Sequence, residues 1–118
     1  MITKILITLI GILHVYILIL EMFLWEHPIA LKAFGQSRDK AVLTKVLAQN
    51  QGLYNGFLAV GLFWALWENK VFFIPLATFF LGCIFVAGVY GAVTANKKIL
   101  FIQSVPALIA LICLYVGI

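Results

Sequence analysis

Four long apolar segments alternate with polar connections along this chain. Each segment has close to the roughly 20 residues that an α-helix needs to cross about 30 Å of hydrocarbon. None shows the period-2 alternation of a membrane-spanning strand, and a continuous apolar run is tolerated in lipid only as a helix. The pattern therefore predicts four membrane-spanning helices, at residues 3–25, 47–67, 71–94 and 99–118.

The connections between these segments differ in length, and their lengths predict the arrangement of the helices. Residues 68–70 and 96–98 form tight turns, which place neighbouring helices antiparallel. The first connection is longer and mixes lysines with apolar residues, so we expect a short amphipathic segment on the membrane surface, interrupted at 35–37. The predicted fold is all-α, a single-domain integral membrane four-helix up-down-up-down bundle over residues 1–118.

Composition favours lipid as the solvent of this fold. The 118 residues are 65% hydrophobic and only 10% charged, whereas a soluble domain is about half apolar and about a quarter charged. The lipid bilayer is therefore the expected partner. The net charge of +4 comes from basic residues between the apolar runs. These form no stripe with stacking aromatic residues, so we expect no nucleic-acid partner.

The distribution of Lys and Arg predicts the orientation in the membrane. The first and third connections carry more basic residues than the opposite side, which the positive-inside rule places in the cytoplasm. Both chain ends are then expected outside the cytoplasm. The first apolar segment lacks a cleavage site of small residues, so we interpret it as a retained helix rather than a signal peptide.

Polar side chains within the predicted spans collect toward the first and third connections. Such residues are costly in lipid and suggest function. His14 and Glu21 are seven positions apart and share a helix face, as do Gln51 and Asn55 at a spacing of four. A charged Glu21 is expected to face inward, toward hydrogen-bond donors. The candidate ligand-pocket residues are His14, Glu21, Asn50, Gln51, Tyr54, Asn55, Tyr90 and Gln103.

A purely structural interpretation of this polar set is also open. His14 is then a buried histidine bonded to a neighbouring helix, and the asparagine and glutamine side chains join helices to one another. Gly52 and Gly56 form a Gly-x-x-x-Gly spacing that lets helices approach closely. Pro106 is expected to kink the fourth helix and widen a pocket beside Gln103.

No cofactor, metal site or soluble-enzyme motif is predicted. Cys83 and Cys113 lie in apolar runs without metal-ligand or redox spacing. A site built from the two histidines and their glutamate neighbours matches no known ligand pattern. There is no phosphate-binding loop, nucleophile elbow or zinc-type motif.

Four blocks of the sequence resemble one family of small bacterial membrane proteins. The blocks are EMFLW at 21–25, NQGLYNGFLA at 50–59, AGVYGAVT at 87–94 and QSVPA at 103–107. The family is known as domain of unknown function 1304. The resemblance implies a four-helix, multi-pass protein of the bacterial inner membrane, and it implies no activity, substrate or catalytic residue. Where Ser104 stands, the family usually has another small residue.

Three functions remain open at this stage. The leading one is binding of a small apolar or lipid-like ligand in an intramembrane pocket with a polar end. If such a protein were an enzyme, Glu21 and His14 would exchange protons in an isomerisation or hydration. A second is a small proton-coupled transporter of the multidrug type, by architectural analogy. A third is a structural or partner-binding subunit. The chain could form a homo-oligomer, and dimerisation would favour the transporter, whereas a closed monomeric pocket would oppose it.

Overall fold

The computed structural model describes all residues, Met1–Ile118, and every regular element in it is helical. The predicted all-α class is therefore confirmed. The α-helices are α1 (Ile2–Met22), α2 (Pro28–Phe34), α3 (Arg38–Trp67), α4 (Lys70–Thr94) and α5 (Val105–Val116), with a π-helical segment, Leu100–Ser104, immediately before α5. Two of them, α1 and α4, are long and apolar enough to cross a membrane.

The residues group into two compact units, which are described separately below. Unit 1 contains Met1–Gly11 and Val60–Ile118, and unit 2 contains Ile12–Ala59. Helices α1 and α3 each contribute residues to both units.

In unit 2, α1 and α3 run antiparallel with small residues at their contact. A Cβ atom added at Gly52 would lie 2.6 Å from Met22 Cγ, and one added at Gly56 would lie 2.6 Å from Leu18 Cδ1. As residue numbers rise along α3, those of the neighbouring α1 residues fall, which defines the antiparallel direction. Helix α1 is followed by a short loop at 23–27. At the start of this loop, the N–H groups of Phe23 and Leu24 both donate to the Ile19 carbonyl.

Helix α2 is defined by clear start and stop signals. His27 Nδ1 accepts a 3.2 Å hydrogen bond from the Ile29 N–H, and Pro28 occupies the first turn, where its missing N–H costs nothing. Gly35 closes the helix with a φ of 60°, a left-handed conformation that favours glycine. The predicted interruption at 35–37 is thus the boundary between α2 and α3.

The second predicted helix begins earlier than the hydrophobic pattern indicated. The sequence predicts a start at residue 47, but α3 begins at Arg38 and runs for 30 residues. The Ser37 hydroxyl accepts from the Lys40 N–H at 3.2 Å, and Asp39 lies in the first turn, where a carboxylate is favourable. These local signals start the helix, whereas hydrophobicity reports only the part of it that is apolar.

In unit 1, α3 and α4 form a tight antiparallel hairpin. The Asn69 side chain caps α4 by accepting from the Val71 and Phe72 N–H groups at 3.0 and 3.3 Å. The Phe80 ring lies directly against Gly61, and the Phe63 ring covers Gly11 of α1. The fully buried apolar residues of this unit include Ile7, Leu62, Leu81 and Ile84.

The fourth predicted helix, at 99–118, is divided into the π-helical segment and α5. The Val105 N–H bonds to the Leu100 carbonyl in the five-residue spacing of a π-helix. Pro106 follows in the first turn of α5 and has no N–H to give to Ile102, so an unbroken α-helical ladder is impossible there. The structure shows a change of helix type at this point, whereas the kink at Pro106 and the wider pocket beside Gln103 stay predictions.

The segment from Leu100 to Val116 packs antiparallel on α4. The Ser104 hydroxyl donates a 2.7 Å hydrogen bond to the Phe85 carbonyl, and Gly88 contacts Ser104 directly. Near the other end, the Thr78 and Tyr115 hydroxyls are 2.9 Å apart. This region is apolar but shorter than a span of standard length, so its predicted membrane crossing, like that of α3, stays a prediction.

Candidate functional site

The central polar contact of unit 2 joins Glu21 on α1 to Asn55 on α3. Asn55 Nδ2 donates a 2.6 Å hydrogen bond to Glu21 Oε1. Both residues are buried, with 1% of Glu21 and 5% of Asn55 exposed. Glu21 thus faces inward, toward a hydrogen-bond donor on α3, as predicted from the sequence. Burial makes the loss of either partner of this hydrogen bond costly.

Glycine brings the two helices close enough for this bond to form. A Cβ atom at Gly52 would lie 3.0 Å from Glu21 Cβ and 3.3 Å from the Leu18 carbonyl oxygen. Any larger side chain there would push α3 away from α1. Gly52, Asn55 and Gly56 therefore lie on one face of α3. This face, with its Gly-x-x-x-Gly spacing, is the one that contacts α1.

His14 is fully buried in the same unit, two turns before Glu21 on α1. Seven residues correspond to about 10 Å along a helix axis, which is too far for a direct hydrogen bond between the two side chains. The proton exchange considered from the sequence would therefore need an intermediary. The role of His14 in ligand binding stays a prediction.

Three other candidate residues on α3 lie on its outer face. Asn50 is exposed and its side chain donates to the Val46 carbonyl of its own helix at 2.8 Å. Gln51 is exposed, and Tyr54 has 58% of its surface exposed. Helical phase alone grouped Gln51 with Asn55, but the contact with α1 is centred on Gly52 and Asn55, and Gln51 lies at its edge.

The last two candidate residues, Tyr90 and Gln103, belong to unit 1. Gln103 is half-buried in the π-helical segment, next to the buried Ser104. Tyr90 is 71% exposed and lies at one end of a groove along α4. Among the eight candidates, the structure joins Glu21 and Asn55 by a direct hydrogen bond between side chains.

A shallow groove of about 700 Å³, widely open to the outside, follows one face of α4. Its floor is made of small side chains, and nothing lies within 4 Å of the Cβ position of Gly82. The side chains of Phe79 and Val86 lie beside these small residues and are largely exposed. The groove is lined by Thr78, Phe79, Gly82, Cys83, Val86, Ala87 and Tyr90, and it is called the α4 groove below.

The sequence pattern draws attention to Cys83 and Tyr90 but predicts no groove on this helix, and it does not predict the hydrogen bond that Ser104 makes. Ser104 is 1% exposed and bridges to α4 through the Phe85 carbonyl. The small residues Gly88, Gly91 and Ala92 predict that a neighbouring helix approaches this part of α4 closely, and Gly88 contacts Ser104. The groove residues recur at intervals of four along α4, yet membrane helices are so rich in small apolar residues that this spacing is a weak signal.

The chemistry of these sites is limited by their side chains. No group of three or more histidine, cysteine, aspartate or glutamate side chains is arranged to hold a metal ion. The Glu21–Asn55 pair offers a buried carboxylate already bonded by an amide. The α4 groove offers apolar side chains and a tyrosine hydroxyl at one end, while the threonine hydroxyl at the other end is bonded to the Tyr115 hydroxyl.

Comparison with known proteins gives a family and a relative. Residues 8–115 match the family model described as protein of unknown function (DUF1304). The chain is 31% identical over 112 residues to the uncharacterized protein YpaA of Lactococcus lactis subsp. lactis (strain IL1403), covering 93% of each chain. No solved structure matches.

Proposed function

Since this chain belongs to the DUF1304 family, whose function is unknown, we propose that it is a multi-pass membrane protein that binds a lipid-like molecule in the α4 groove. The observation that carries this proposal is the open apolar groove of about 700 Å³ on one of the two helices with the length and hydropathy of a membrane span.

The order of the four apolar segments and their short connections supports an up-down-up-down bundle that crosses the membrane four times. Antiparallel neighbours follow one another from α1 to α3, from α3 to α4, and from α4 to the π-helical segment and α5. In unit 1, Gly11 of α1 contacts the Phe63 ring of α3. In unit 2, Met22 of α1 contacts Gly52 of α3. Helices in this order bring alternate connections to opposite sides, with both chain ends outside the cytoplasm by the positive-inside rule.

The dimensions of the α4 groove suit an acyl or isoprenoid chain. Residues 78 and 90 are twelve positions apart, or about 18 Å along the helix axis. The side chains between them are apolar and the floor is flat at Gly82, where a chain can lie against the backbone. The Tyr90 hydroxyl is available to a polar end group, because Tyr90 is 71% exposed. An apolar site with one well-placed polar group is the usual form of such ligand sites.

The Glu21–Asn55 pair has a different role in this proposal. It fixes the contact of α1 with α3 rather than contacting the ligand, since the carboxylate is buried and bonded and Gly52 packs beside it. This interpretation adopts the structural alternative for Glu21 and Asn55 and retains Tyr90 as a ligand-binding residue.

Native mass spectrometry of protein released from mild detergent tests the proposal. Wild type should carry a defined extra mass, and Gly82→Phe, which fills the groove where space is open, should lose it. Val60→Phe places the same ring on another exposed surface, of α3, and should retain the mass. A bare wild type, an unchanged Gly82→Phe variant, or a second copy of the chain as the added mass would overturn it.

A further inference from the structure

Helix α3 extends well beyond the end of α1 in unit 2. Gly52 lies against Met22, the last residue of α1, so residues 38–51 continue past it. Those fourteen residues span about 21 Å, and the whole of α3 is about 45 Å long. The hydrocarbon of a bilayer is only about 30 Å thick. If α3 crosses the membrane, as proposed above, its first turns therefore lie among the lipid headgroups.

The segment that precedes this extension is fixed to it. The Trp25 indole N–H donates to the Thr44 hydroxyl at 3.2 Å, and the Trp25 and Phe34 rings have their centres 4.9 Å apart. Lys45 and Glu26 form an ion pair at 3.5 Å. Helix α2 and the first turns of α3 thus form one folded surface, residues 28–47, which we call the basic arm.

Charge and hydrophobicity lie side by side on the basic arm. Lys32, Arg38 and Lys40 are exposed and form no ion pair within the protein, so their charges are available. Four apolar residues are also largely exposed, between 55% and 85% of their surface: Val42, Leu43, Val46 and Leu47. Free cations next to exposed apolar side chains match the boundary between headgroups and acyl chains.

We propose that the basic arm binds the headgroups of anionic phospholipids in the membrane that the helices cross. The phosphate groups are held by Lys32, Arg38 and Lys40, while the exposed leucines and valines contact the upper part of the acyl chains. Basic residues close to a membrane surface are attracted to anionic lipids in this way. The apolar residues favour this partner over nucleic acid, which would leave them in water.

Lipid selectivity measures this proposal directly. Purified protein is reconstituted in nanodiscs with equal amounts of phosphatidylglycerol and phosphatidylcholine, and the lipids retained by the protein are identified by native mass spectrometry. Wild type should retain phosphatidylglycerol preferentially. The triple variant Lys32→Gln/Arg38→Gln/Lys40→Gln should lose this preference, by roughly fivefold for each charge removed, and 1 M salt should weaken it in wild type.

Two controls separate a specific surface from net charge. The charge-conserving variant Lys32→Arg/Arg38→Lys/Lys40→Arg should behave as wild type. The variant Lys4→Gln/Lys70→Gln, which removes charges outside the arm, should also retain phosphatidylglycerol. Absence of preference in wild type, its persistence in the triple variant, or its loss in Lys4→Gln/Lys70→Gln would overturn the proposal. The Gly82→Phe variant should keep the preference, so failure at the arm and failure at the α4 groove are distinguishable.

Discussion

Asn55 and Glu21 are 34 positions apart in the sequence and are joined by a 2.6 Å hydrogen bond between buried side chains. Gly52, three positions before Asn55, lies against Met22 and Glu21 of α1 beside this bond. A buried carboxylate is costly without a partner, so this pair fixes both the distance and the register between the two helices.

Replacing Asn55 with Leu should lower the free energy of unfolding by about 1–3 kcal/mol, because the carboxylate stays buried without its donor. Glu21→Gln should cost less, since the amide oxygen still accepts the bond. The double variant Glu21→Leu/Asn55→Leu should lose less than the sum of the two single leucine variants. Equilibrium unfolding in mixed detergent micelles measures these differences. Equal stability of Asn55→Leu and wild type would show that the bond does not hold the helices.

Adding one methyl group at Gly52 should destabilise unit 2. The new Cβ would lie 2.6 Å from Met22 Cγ and 3.3 Å from the Leu18 carbonyl oxygen, so Gly52→Ala should cost about 1–3 kcal/mol in the same unfolding assay. Gly82→Ala is the matched control, because nothing lies within 4 Å of its Cβ position. That variant should equal wild type or be slightly more stable, since alanine favours helix. Similar losses in both variants would contradict a specific close approach at Gly52.

Loss of the Ser104 hydroxyl should weaken the contact between α4 and the π-helical segment. Ser104→Ala removes the bond to the Phe85 carbonyl and should cost about 1 kcal/mol in thermal or detergent unfolding. Thr94→Ala removes a hydroxyl that bonds only to the Tyr90 carbonyl of its own helix on an exposed surface. It should have almost no effect. If Thr94→Ala is as destabilising as Ser104→Ala, the bond between the two helical segments is not the cause.

Hydrophobic pattern and family resemblance predict most of the helical content, but not its details. Because a charged glutamate facing lipid is costly, the sequence predicts that Glu21 faces inward toward hydrogen-bond donors, and α3 supplies Asn55. The start of α3 was misplaced because Ser37 and Asp39 are local signals that do not register as hydrophobicity. The π-helical segment before Pro106 depends on backbone hydrogen bonds that no sequence pattern reports directly.

The predicted pocket was also broader than the geometry supports. Sequence spacing gathers polar residues at one end of the spans, but it does not resolve which neighbouring position on a helix faces inward. Gln51 and Asn55 differ by only about 40° around the helix axis, yet Asn55 is buried and Gln51 is exposed. The α4 groove is lined by residues of α4 alone, and it lies where Gly82 has no side chain and no other group comes within 4 Å of its Cβ position.

Membrane orientation can be read from reporters at two positions. A reporter fused after Ile118 should be active outside the cytoplasm, and one inserted at Gln36, between α2 and α3, should be active inside it. The reason is the excess of Lys and Arg in the first and third connections. The opposite pattern would reverse the proposed orientation. If both reporters were on the same side, α3, α4 and α5 could not each cross the membrane once.

The most direct test of the proposed function is to locate a bound lipid on the protein. Membranes containing the protein are incubated with a photoactivatable fatty acid that carries an alkyne, irradiated, and the labelled peptides are identified by tandem mass spectrometry. Labelling should concentrate between Thr78 and Tyr90 and should fall at least severalfold in Gly82→Phe but not in Val60→Phe. Labelling spread evenly over the exposed faces of all helices, or unchanged in Gly82→Phe, would contradict a lipid-binding site in the α4 groove.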